Sequence, residues 1–293
     1  MRIVSLLPSA TEIVCALGRG DDLVGVTFEC DHPAGVRDGR VIVVGGLATE
    51  GLDAAAIDEL VRERVAAGED LYVLDRDRFR TLDPTVVLTQ DLCRVCALPG
   101  AEVSDALAEL GCTAAVVTLD PHTLHDVLDG VLAVGRAIDA EAEAAALVEV
   151  AQQRLAAVAR AVAGRAQPTV LVLEWPDPPF VAGHWVPELV ERAGGAPVLC
   201  RPGDRSVPTT WEEVAGSGAE VVLVASCGFD VEGSAAHARD LLDRLPVGAA
   251  VWALDANGVV VRPGPRLVDG VEVLAALLHG VGVPDPATAV RIR

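Results

Sequence analysis

Two α/β lobes joined by one long helix is the fold that the sequence predicts, and three observations predict it. Short apolar strands alternate with helical patterns over residues 1–121. A helical pattern without strands then covers residues 122–165, and a second alternation fills residues 166–293. Alternating strands and helices are typical of a mostly parallel sheet with helices on both faces. The chain therefore belongs to the α/β class, with an N-terminal lobe, a connecting helix and a C-terminal lobe.

The first lobe follows from runs of β-branched and leucine residues separated by segments with helical spacing. We predict strands at Ile3–Leu7, Leu23–Thr27, Val41–Val44, Val86–Thr89 and Ala114–Leu119, and helices at Thr11–Leu17, Leu52–Ala67 and Glu102–Leu110.

The connecting helix is predicted over Thr123–Ala163. Apolar residues recur there at the spacing of one helix face, as at Leu124, Val127, Leu128 and Val131. With a rise of about 1.5 Å per residue, such a helix is long enough to cross a domain.

The second lobe repeats the pattern of the first. We predict strands at Thr169–Leu173, Pro197–Leu199, Val221–Ala225, Ala250–Leu254 and Gly258–Val261, and helices at Val186–Ala193, Thr210–Ala215, Ser234–Leu245 and Arg266–Leu278.

Composition narrows the function classes. The chain has 293 residues and 43 acidic against 23 basic side chains, for a formal net charge of -20. Nucleic acids and anionic membrane surfaces require a basic surface, so we expect neither as a partner. The chain starts at Met1-Arg2 and leads directly into the first strand, without the pattern of a signal peptide, and no apolar run reaches about 18 residues. We expect a cytoplasmic protein without membrane insertion; a trimmed exported form is the alternative.

Four of the seven cysteines follow predicted strands: Cys30, Cys93, Cys96 and Cys227. Ligands of open α/β sheets bind outside the carboxyl ends of the strands, so these thiols are candidate ligands for zinc or an iron–sulfur cluster. The Cys93-x-x-Cys96 pair is equally typical of a buried thiol pair or a reversible disulfide. Cys15, Cys112 and Cys200 are predicted to be structural.

Aromatic residues make up only 3% of the chain, yet several lie near predicted strand ends. Phe28, Trp175, Phe180, Trp185 and Phe229 are candidates to enclose a large flat ligand, with core packing as the competing explanation. His32 and His184 lie on loops beside these segments and are candidate contacts or metal ligands. His122, His125, His237 and His279 are predicted to be structural.

A series of short segments occurs in a characteristic order along nearly the whole chain. The segments are Arg2–Glu12, Leu23–Thr27, Cys30–Pro33, Gly183–Leu189, Gly194-Gly195, Val207–Glu213 and Arg262–Arg266. Together they resemble the helical-backbone substrate-binding proteins of ABC importers for cobalamin, iron-siderophores and heme. Cys30-Asp31-His32-Pro33 is similar to that family's Asp-Tyr-Pro segment, with histidine in place of tyrosine.

The resemblance implies two Rossmann-like lobes, a rigid connecting helix, and a ligand held between the lobes. It also implies docking on a membrane permease through one acidic residue per lobe. Glu212 or Glu213 matches this position in the second lobe. The matching position in the first lobe falls near Asp53–Ile57, where alanine stands in place of the expected glutamate, and Glu50 lies upstream.

Two hypotheses of function follow. The first is capture of cobalamin or another metal chelate in a cleft between the lobes, without catalytic residues, by Phe28, His32, Trp175, His184, Trp185 and Phe229. The alternative is a cytoplasmic metalloprotein, whether enzyme or not, with an iron–sulfur cluster or zinc held by Cys30, Cys93, Cys96 and Cys227.

Overall fold

The chain folds into two units, each built around its own sheet. A computed structural model describes residues 1–49, 51–91, 107–109 and 112–293. One unit comprises Met1–Pro121 and Asp126–Glu149, and the other comprises His122–His125 and Val150–Arg293. We call them unit 1 and unit 2.

The sheet of unit 1 has a parallel centre. Its elements are β1 (Ile3–Ser5), α1 (Pro8–Ala16), β2 (Leu23–Thr27), β3 (Val41–Gly45), α2 (Ala54–Ala66), β4 (Val73–Leu74), α3 (Arg76–Leu82), β5 (Val86–Gln90) and β6 (Ala115–Leu119). The described strands lie in the order β4-β3-β2-β1-β5-β6, and among these pairings only β3–β4 is antiparallel. Strand order reverses between β1 and β5, which is where open α/β sheets form ligand sites.

The core of unit 1 lies between its sheet and its helices. Val4, Val43 and Val87 from three strands pack with Phe79 and Leu82 of α3. The middle of β2 is a glycine because α3 lies so close. A Cβ on Gly25 would stand 2.6 Å from Leu82 Cδ1, inside any normal carbon–carbon contact.

The predicted connecting helix is two helices, α4 (Leu124–Ala137) and α5 (Glu141–Val162). The chain leaves α4 at Asp139, which adopts a left-handed φ of 52°, and Ala140 N then donates to Gly135 O at 2.8 Å. This is the hydrogen-bonding pattern of a Schellman helix end. It is hard to foresee because left-handed residues are usually glycine or asparagine and this one is aspartate.

The sheet of unit 2 combines a parallel centre with antiparallel additions. Its elements are β7 (Thr169–Pro176), β8 (Pro179–Val181), α6 (Val186–Arg192), β9 (Ala196–Pro197), β10 (Val207–Pro208), α7 (Trp211–Gly216), β11 (Val221–Val224), α8 (Val231–Asp240), β12 (Ala250–Leu254), α9 (Ala256–Val259), α10 (Leu267–His279) and β13 (Ala289–Arg291). The order is β10-β8-β7-β11-β12-β13, with β9 also beside β7. Strands β9, β7, β11 and β12 are parallel, so the order reverses between β7 and β11.

The core of unit 2 is a layer of small aliphatic side chains between the sheet and α8. Leu171, Val222 and Val251 lie at less than 1% exposure on adjacent strands, and Ala235 and Ala238 of α8 cover them. Alanine on the helix allows close approach to the sheet, so packing is tight without large residues.

Helix α5 is fixed to α10 within unit 2 by an arginine fork. Arg154 Nε donates to Glu272 Oε1 at 2.9 Å, and its Nη2 donates to Glu272 Oε2 and to Asp269 Oδ1, both at 2.5 Å. Planar guanidinium groups suit such bidentate contacts. The fork sets the register of the later turns of α5 against α10.

Two short strands, β9 beside β7 and β10 beside β8, present proline at their outer edges. Ala196 N donates to Pro168 O, directly before β7, and Val198 N donates to Val170 O of β7. The backbone of Pro197, which lies between them, therefore faces away from β7. Thr209 N donates to Pro179 O, so the adjacent Pro208 likewise faces outward from β10. Neither outward position carries an N–H group.

The predicted α/β class with two parallel-rich lobes is confirmed, with two differences besides the divided helix. Gly258–Val261 was expected to be a strand, but Ala256–Val259 is a turn of helix because Asp255 caps it, its Oδ1 accepting from Gly258 N at 3.0 Å. Strands β4, β8, β10 and β13 were not predicted, since runs of two or three residues leave no periodicity, and the short, mostly polar helix α3 was not predicted either. Helix Glu102–Leu110 lies mostly outside the described residues.

Among the residues described, the helices are too short or too polar to span a lipid bilayer.

We predict opposite effects on stability for two glycines of α4. A Cβ on Gly135 would stand 2.4 Å from Ala144 Cβ, so Gly135→Ala is expected to lower the free energy of unfolding by about 1–3 kcal/mol. Gly130 is the matched control, because its Cβ would stand 3.5 Å from Leu119 Cδ2, an ordinary contact. Gly130→Ala is expected to stabilise by about 0.5–1 kcal/mol through helix propensity. Urea denaturation of both variants measures the difference, and equal effects would contradict the proposed helix end.

Candidate functional site

The carboxyl ends of β7 and β11 form the edge of unit 2 where strand order reverses. β7 continues beyond Leu173, its last residue paired with β11, and ends in Glu174, Trp175 and Pro176. The loop after β11 carries Ser226, Cys227 and Phe229. Since both strands run in the same direction, these side chains lie at one edge of the sheet.

Four rings meet at this edge, which we call the aromatic surface: Trp175, Phe180, Phe229 and His237. Trp175 is paired with Phe180 across the β7–β8 hairpin. The centroids of Trp175 and Phe229 are 6.1 Å apart, and those of Phe229 and His237 are 4.7 Å apart at 71°. All four side chains are half-buried, so none of the four rings is enclosed by the core.

The aromatic surface is held by local hydrogen bonds. Trp175 Nε1 donates to Asp177 O at 3.0 Å, which ties the indole to the turn of its own hairpin. Phe229 N donates to Ser226 O at 3.0 Å, which closes the turn after β11. Phe229 also packs on Gly233 of α8, where a Cβ would stand 2.6 Å from Phe229 Cδ1. The rings are therefore placed by the backbone around them.

Polar groups border the aromatic surface. Ser206 Oγ donates to Glu174 Oε2, and Cys227 N donates to Glu174 O at 2.8 Å. Burial raises the pKa of the nearby Cys200 thiol to about 12, and the carboxylates of Glu174, Asp204 and Glu191 act in the same direction. Cys200 is thus a neutral thiol, as expected of a structural cysteine.

His237 joins the aromatic surface although it was predicted to be structural. Its Nδ1 lies 2.9 Å from the hydroxyl of Ser226, which is fully buried. Burial lowers the pKa of His237, while Asp240 acts in the opposite direction. The ring is therefore neutral at neutral pH. Sequence spacing carried no signal for this contact, because His237 reaches Ser226 from a different element.

His184 and Trp185 occupy different environments. His184 is half-buried with a left-handed φ of 53°, and its ring centroid lies 5.8 Å from that of His122. Trp185 is 4% exposed, and its Nε1 donates to Val260 O at 2.8 Å. The indole is enclosed in unit 2 and packs beside His184, 5.8 Å away between centroids, and the ligand contact of Trp185 stays a prediction.

Unit 1 carries a smaller aromatic pair at the carboxyl ends of β2 and β3. Phe28 lies over Gly46, where a Cβ would stand 2.4 Å from Phe28 Cζ. Its ring centroid is 6.3 Å from that of Tyr72, and Tyr72 Oη donates to Glu29 at 3.4 Å. Tyr72 was not predicted; it is the only tyrosine of the chain, but β4, which places it opposite Gly46, is too short to recognise. His32 is exposed on the loop after β2.

The predicted cysteine ligands have different surroundings. Cys30 is 1% exposed in unit 1, with its Sγ 3.1 Å from Thr11 Oγ1 and 3.4 Å from Thr27 Oγ1. Cys227 is exposed in unit 2. Cys93 and Cys96 lie outside the described residues. Within the described part of the chain, no group of three or more His, Cys, Asp or Glu side chains is placed to hold a metal ion. Ligation by all four cysteines stays a prediction.

The two acidic residues at the start of α7 are distinguished by their contacts. Glu213 forms a capping box: its carboxylate accepts from Thr210 N at 3.0 Å, and Glu213 N donates to Thr210 Oγ1 at 3.2 Å. The hydrogen bond from the Thr209 hydroxyl, helped by those from Thr210, lowers the pKa of Glu213. Glu212 is exposed beside it. Glu50, the corresponding candidate of the first lobe, lies outside the described residues.

An open groove of about 800 Å³ also lies in unit 2, between β9 and the end of α6. It is lined by Gln167, Glu191, Gly195, Ala196, Pro197, Leu199, Cys200, Arg201, Pro202 and Asp204. Flat ligands are bound mainly by apolar and aromatic contacts, and the lining described has no aromatic side chain. The aromatic surface is therefore the stronger candidate site.

Comparison with known proteins gives consistent matches over nearly the whole chain. A family model described as periplasmic binding protein matches residues 3–264. A vitamin B12-binding protein from Vibrio cholerae serotype O1 is 26% identical, covering 94% of this chain and 88% of its own. An ABC transporter substrate-binding lipoprotein from Bacillus subtilis is 24% identical, covering 95% and 80%. The crystal structure of a periplasmic heme-binding protein from Pseudomonas aeruginosa superposes with a TM-score of 0.73 at 22% identity, covering 99% and 97%.

We predict a clear order of thiol reactivity. Cys227 is exposed and is expected to react first with N-ethylmaleimide at pH 8. Cys200 is expected to react slowly, because a thiol with a pKa of about 12 is only roughly one ten-thousandth thiolate at that pH. Cys30 is enclosed by two threonines and is expected to stay unlabelled in the folded protein. Mass spectrometry of peptides after a short pulse measures the order, with urea-unfolded protein as the control. Equal labelling of Cys30 and Cys227 would refute it.

Proposed function

Since this chain belongs to the periplasmic binding protein family, we propose that it binds a cobalamin-type ligand or another flat metal chelate. The proposed ligand contacts on unit 2 are Trp175, Phe180 and Phe229 of the aromatic surface, with His184 at its border. Phe28, Tyr72 and His32 are proposed as the contacts on unit 1. Binding is capture by contact and hydrogen bonding, without a covalent step.

One observation carries the proposal: the few aromatic residues of the chain are concentrated at strand ends. The chain contains four Phe, four Trp and one Tyr. Four of them have places in the fold: Phe79 is 1% and Trp185 is 4% exposed, and Trp211 and Trp252 lie under Arg244 and Arg291. Trp175, Phe180 and Phe229 lie together at the strand reversal of unit 2. Half-buried rings at this position favour a large apolar ring system as ligand.

The polar border suits the periphery of such a ligand. Corrin and porphyrin rings carry amide or carboxylate side chains around an apolar centre. Glu174 presents a half-buried carboxylate beside Trp175, held by Ser206, and can accept hydrogen bonds from amides. Because Glu174 is an acceptor, it favours cobalamin, whose amides donate hydrogen bonds. It disfavours a ligand with carboxylates, because two carboxylates repel each other.

The relatives support the same ligand class. The Vibrio cholerae relative is named for vitamin B12 and the Pseudomonas aeruginosa structure for heme. Both ligands are flat metal chelates of similar width. The name of the Bacillus subtilis relative supports a role with an ABC permease. A cytoplasmic location stays a prediction.

We predict that wild-type protein binds cyanocobalamin and that removing one ring weakens binding. Trp175→Ala and Phe229→Ala are each expected to raise Kd at least tenfold, which corresponds to about 1.4 kcal/mol of lost contact. Isothermal titration calorimetry with cyanocobalamin and, separately, with hemin measures the effect.

Trp252→Ala is the matched control for this prediction. Trp252 is also half-buried in unit 2, but it lies in the middle of β12, paired with Leu223 and Arg291. It is expected to leave Kd unchanged. If wild-type protein bound neither cyanocobalamin nor hemin, the proposed function would be wrong. If Trp252→Ala weakened binding as much as Trp175→Ala, the aromatic surface would not be the site.

We also propose that Glu212 is the acidic residue of unit 2 that contacts a permease. Both glutamates are exposed, but Glu213 is engaged in the capping box of α7, whereas Glu212 takes no part in that box. A carboxylate that is not already bound by three donors is more available to a cationic side chain of a partner.

We predict that substitutions of the two glutamates separate docking from stability. Glu212→Ala is expected to leave the thermal midpoint unchanged and to weaken binding to the detergent-solubilised permease of the same organism. Glu213→Ala is expected to lower the thermal midpoint, because Thr210 N loses its acceptor. This stabilisation is present above the pKa of an unfolded glutamate and is lost as pH falls through the lowered pKa of Glu213. Thermal denaturation followed by circular dichroism at pH 7 and pH 3 measures this stabilisation. A thermal midpoint of Glu212→Ala below that of the wild type would contradict the assignment.

A further inference from the structure

The position of Phe229 depends on side chains outside the proposed ligand contacts. Phe229 lies on a loop between β11 and α8, and its two ring neighbours are Trp175 and His237. Loops alone rarely hold a ring in one orientation, since a half-buried side chain retains rotamer freedom. His237 approaches the Phe229 ring at 4.7 Å with the two planes at 71°, the edge-to-face geometry that aromatic pairs prefer.

His237 is itself held in one orientation. Its Nδ1 lies 2.9 Å from Ser226 Oγ, and the Ser226 side chain has no exposed surface. Ser226 also receives the backbone hydrogen bond from Phe229 N at 3.0 Å. Ser226, His237 and Phe229 therefore form a closed ring of three contacts: a side-chain hydrogen bond, an edge-to-face contact and a backbone hydrogen bond.

Helix α8 is shaped to allow this arrangement. Gly233 and His237 are four residues apart, so they share one face of the helix. A Cβ on Gly233 would stand 2.6 Å from Phe229 Cδ1, so the absence of a side chain there leaves space for the ring. The Asp230 side chain accepts from Gly233 N at 2.9 Å and fixes the first turn of α8 directly after Phe229.

From these contacts we infer that His237 is a positioning residue, which acts through its hydrogen bond with Ser226 to hold Phe229 at the angle needed to contact a flat chelate. The inference rests on the proposed function. His237 does not contact the ligand. It acts by holding the Phe229 ring in the orientation that contacts the ligand. This positioning favours a rigid planar ligand, because a Phe229 ring that is already held at one angle loses no further rotamer freedom when the ligand binds.

Two variants remove the hydrogen bond between Ser226 and His237. One keeps an aromatic ring at residue 237, and the other keeps a small side chain at residue 226. His237→Phe keeps an aromatic edge against Phe229 but has no ring nitrogen, and Ser226→Ala removes the hydroxyl. Each is expected to raise Kd for cyanocobalamin roughly three- to tenfold, as the loss of one hydrogen bond predicts. The double variant is expected to bind no more weakly than either single variant, because both changes break the same contact.

His279→Phe is the matched control. His279 Nε2 lies 3.2 Å from Gly194 O, so this change also removes a contact of a histidine ring nitrogen, at the end of α10. It is expected to leave Kd unchanged. Additive losses in the Ser226→Ala/His237→Phe variant, or unchanged Kd in both single variants, would overturn the positioning role.

A measurement without ligand separates this inference from the proposed function. The chain has four phenylalanines, so 4-fluorophenylalanine labelling gives a simple ¹⁹F spectrum, in which Phe229→Leu identifies the resonance of position 229. The Phe229 resonance is expected to shift or broaden in Ser226→Ala, which adds no fluorinated residue, and to stay in place in a His279→Gln control. An unchanged resonance in Ser226→Ala would overturn the inference even if wild-type protein binds cyanocobalamin. A shifted resonance in a protein that binds neither cyanocobalamin nor hemin would instead reject the proposed function and support only the positioning of Phe229 by Ser226 and His237.

Discussion

The common direction of the central strands is the constraint on which the rest of this molecule depends. Because β7 and β11 run parallel, the segments that follow them emerge at the same edge of the sheet. Residues far apart in the sequence, such as Trp175 and Phe229, thereby come within 6.1 Å between ring centroids. The same rule brings Phe28 and Gly46 together in unit 1. Helices that cover the sheet faces leave this edge as the place where side chains can serve a ligand.

Sequence patterns predicted the elements that are long, apolar and periodic. The parallel strands and helices such as α6 and α10 were located to within a few residues, and with them the aromatic residues at strand ends. The break at Asp139 was missed because it depends on Gly135 meeting Ala144, a tertiary contact. The helical turn at Ala256–Val259 was missed for a related reason: a cap from Asp255 overrode the β-branched composition of the segment.

The candidate site could be predicted only in part, because position along a strand does not tell which way a side chain turns. Trp175 lies near the end of β7 and Trp185 lies directly before α6, so both adjoin loops. Yet Trp175 is half-buried among rings, and Trp185 is enclosed with its N–H bonded to Val260 O. His237 shows the opposite case, where a helix residue without any local signal reaches the site. Contacts between elements decide such roles, and they are absent from local sequence.

The outward prolines of β9 and β10 bear on how the protein behaves when crowded. A sheet edge with free N–H groups can pair with the edge of another molecule, and this pairing is a common start of aggregation. Pro197 and Pro208 remove the donor at the outward position of each short strand. A second chain that approached the outer edge of β9 or β10 would find carbonyl groups without the matching donors. We therefore expect this side of unit 2 to resist intermolecular strand addition without help from charged side chains.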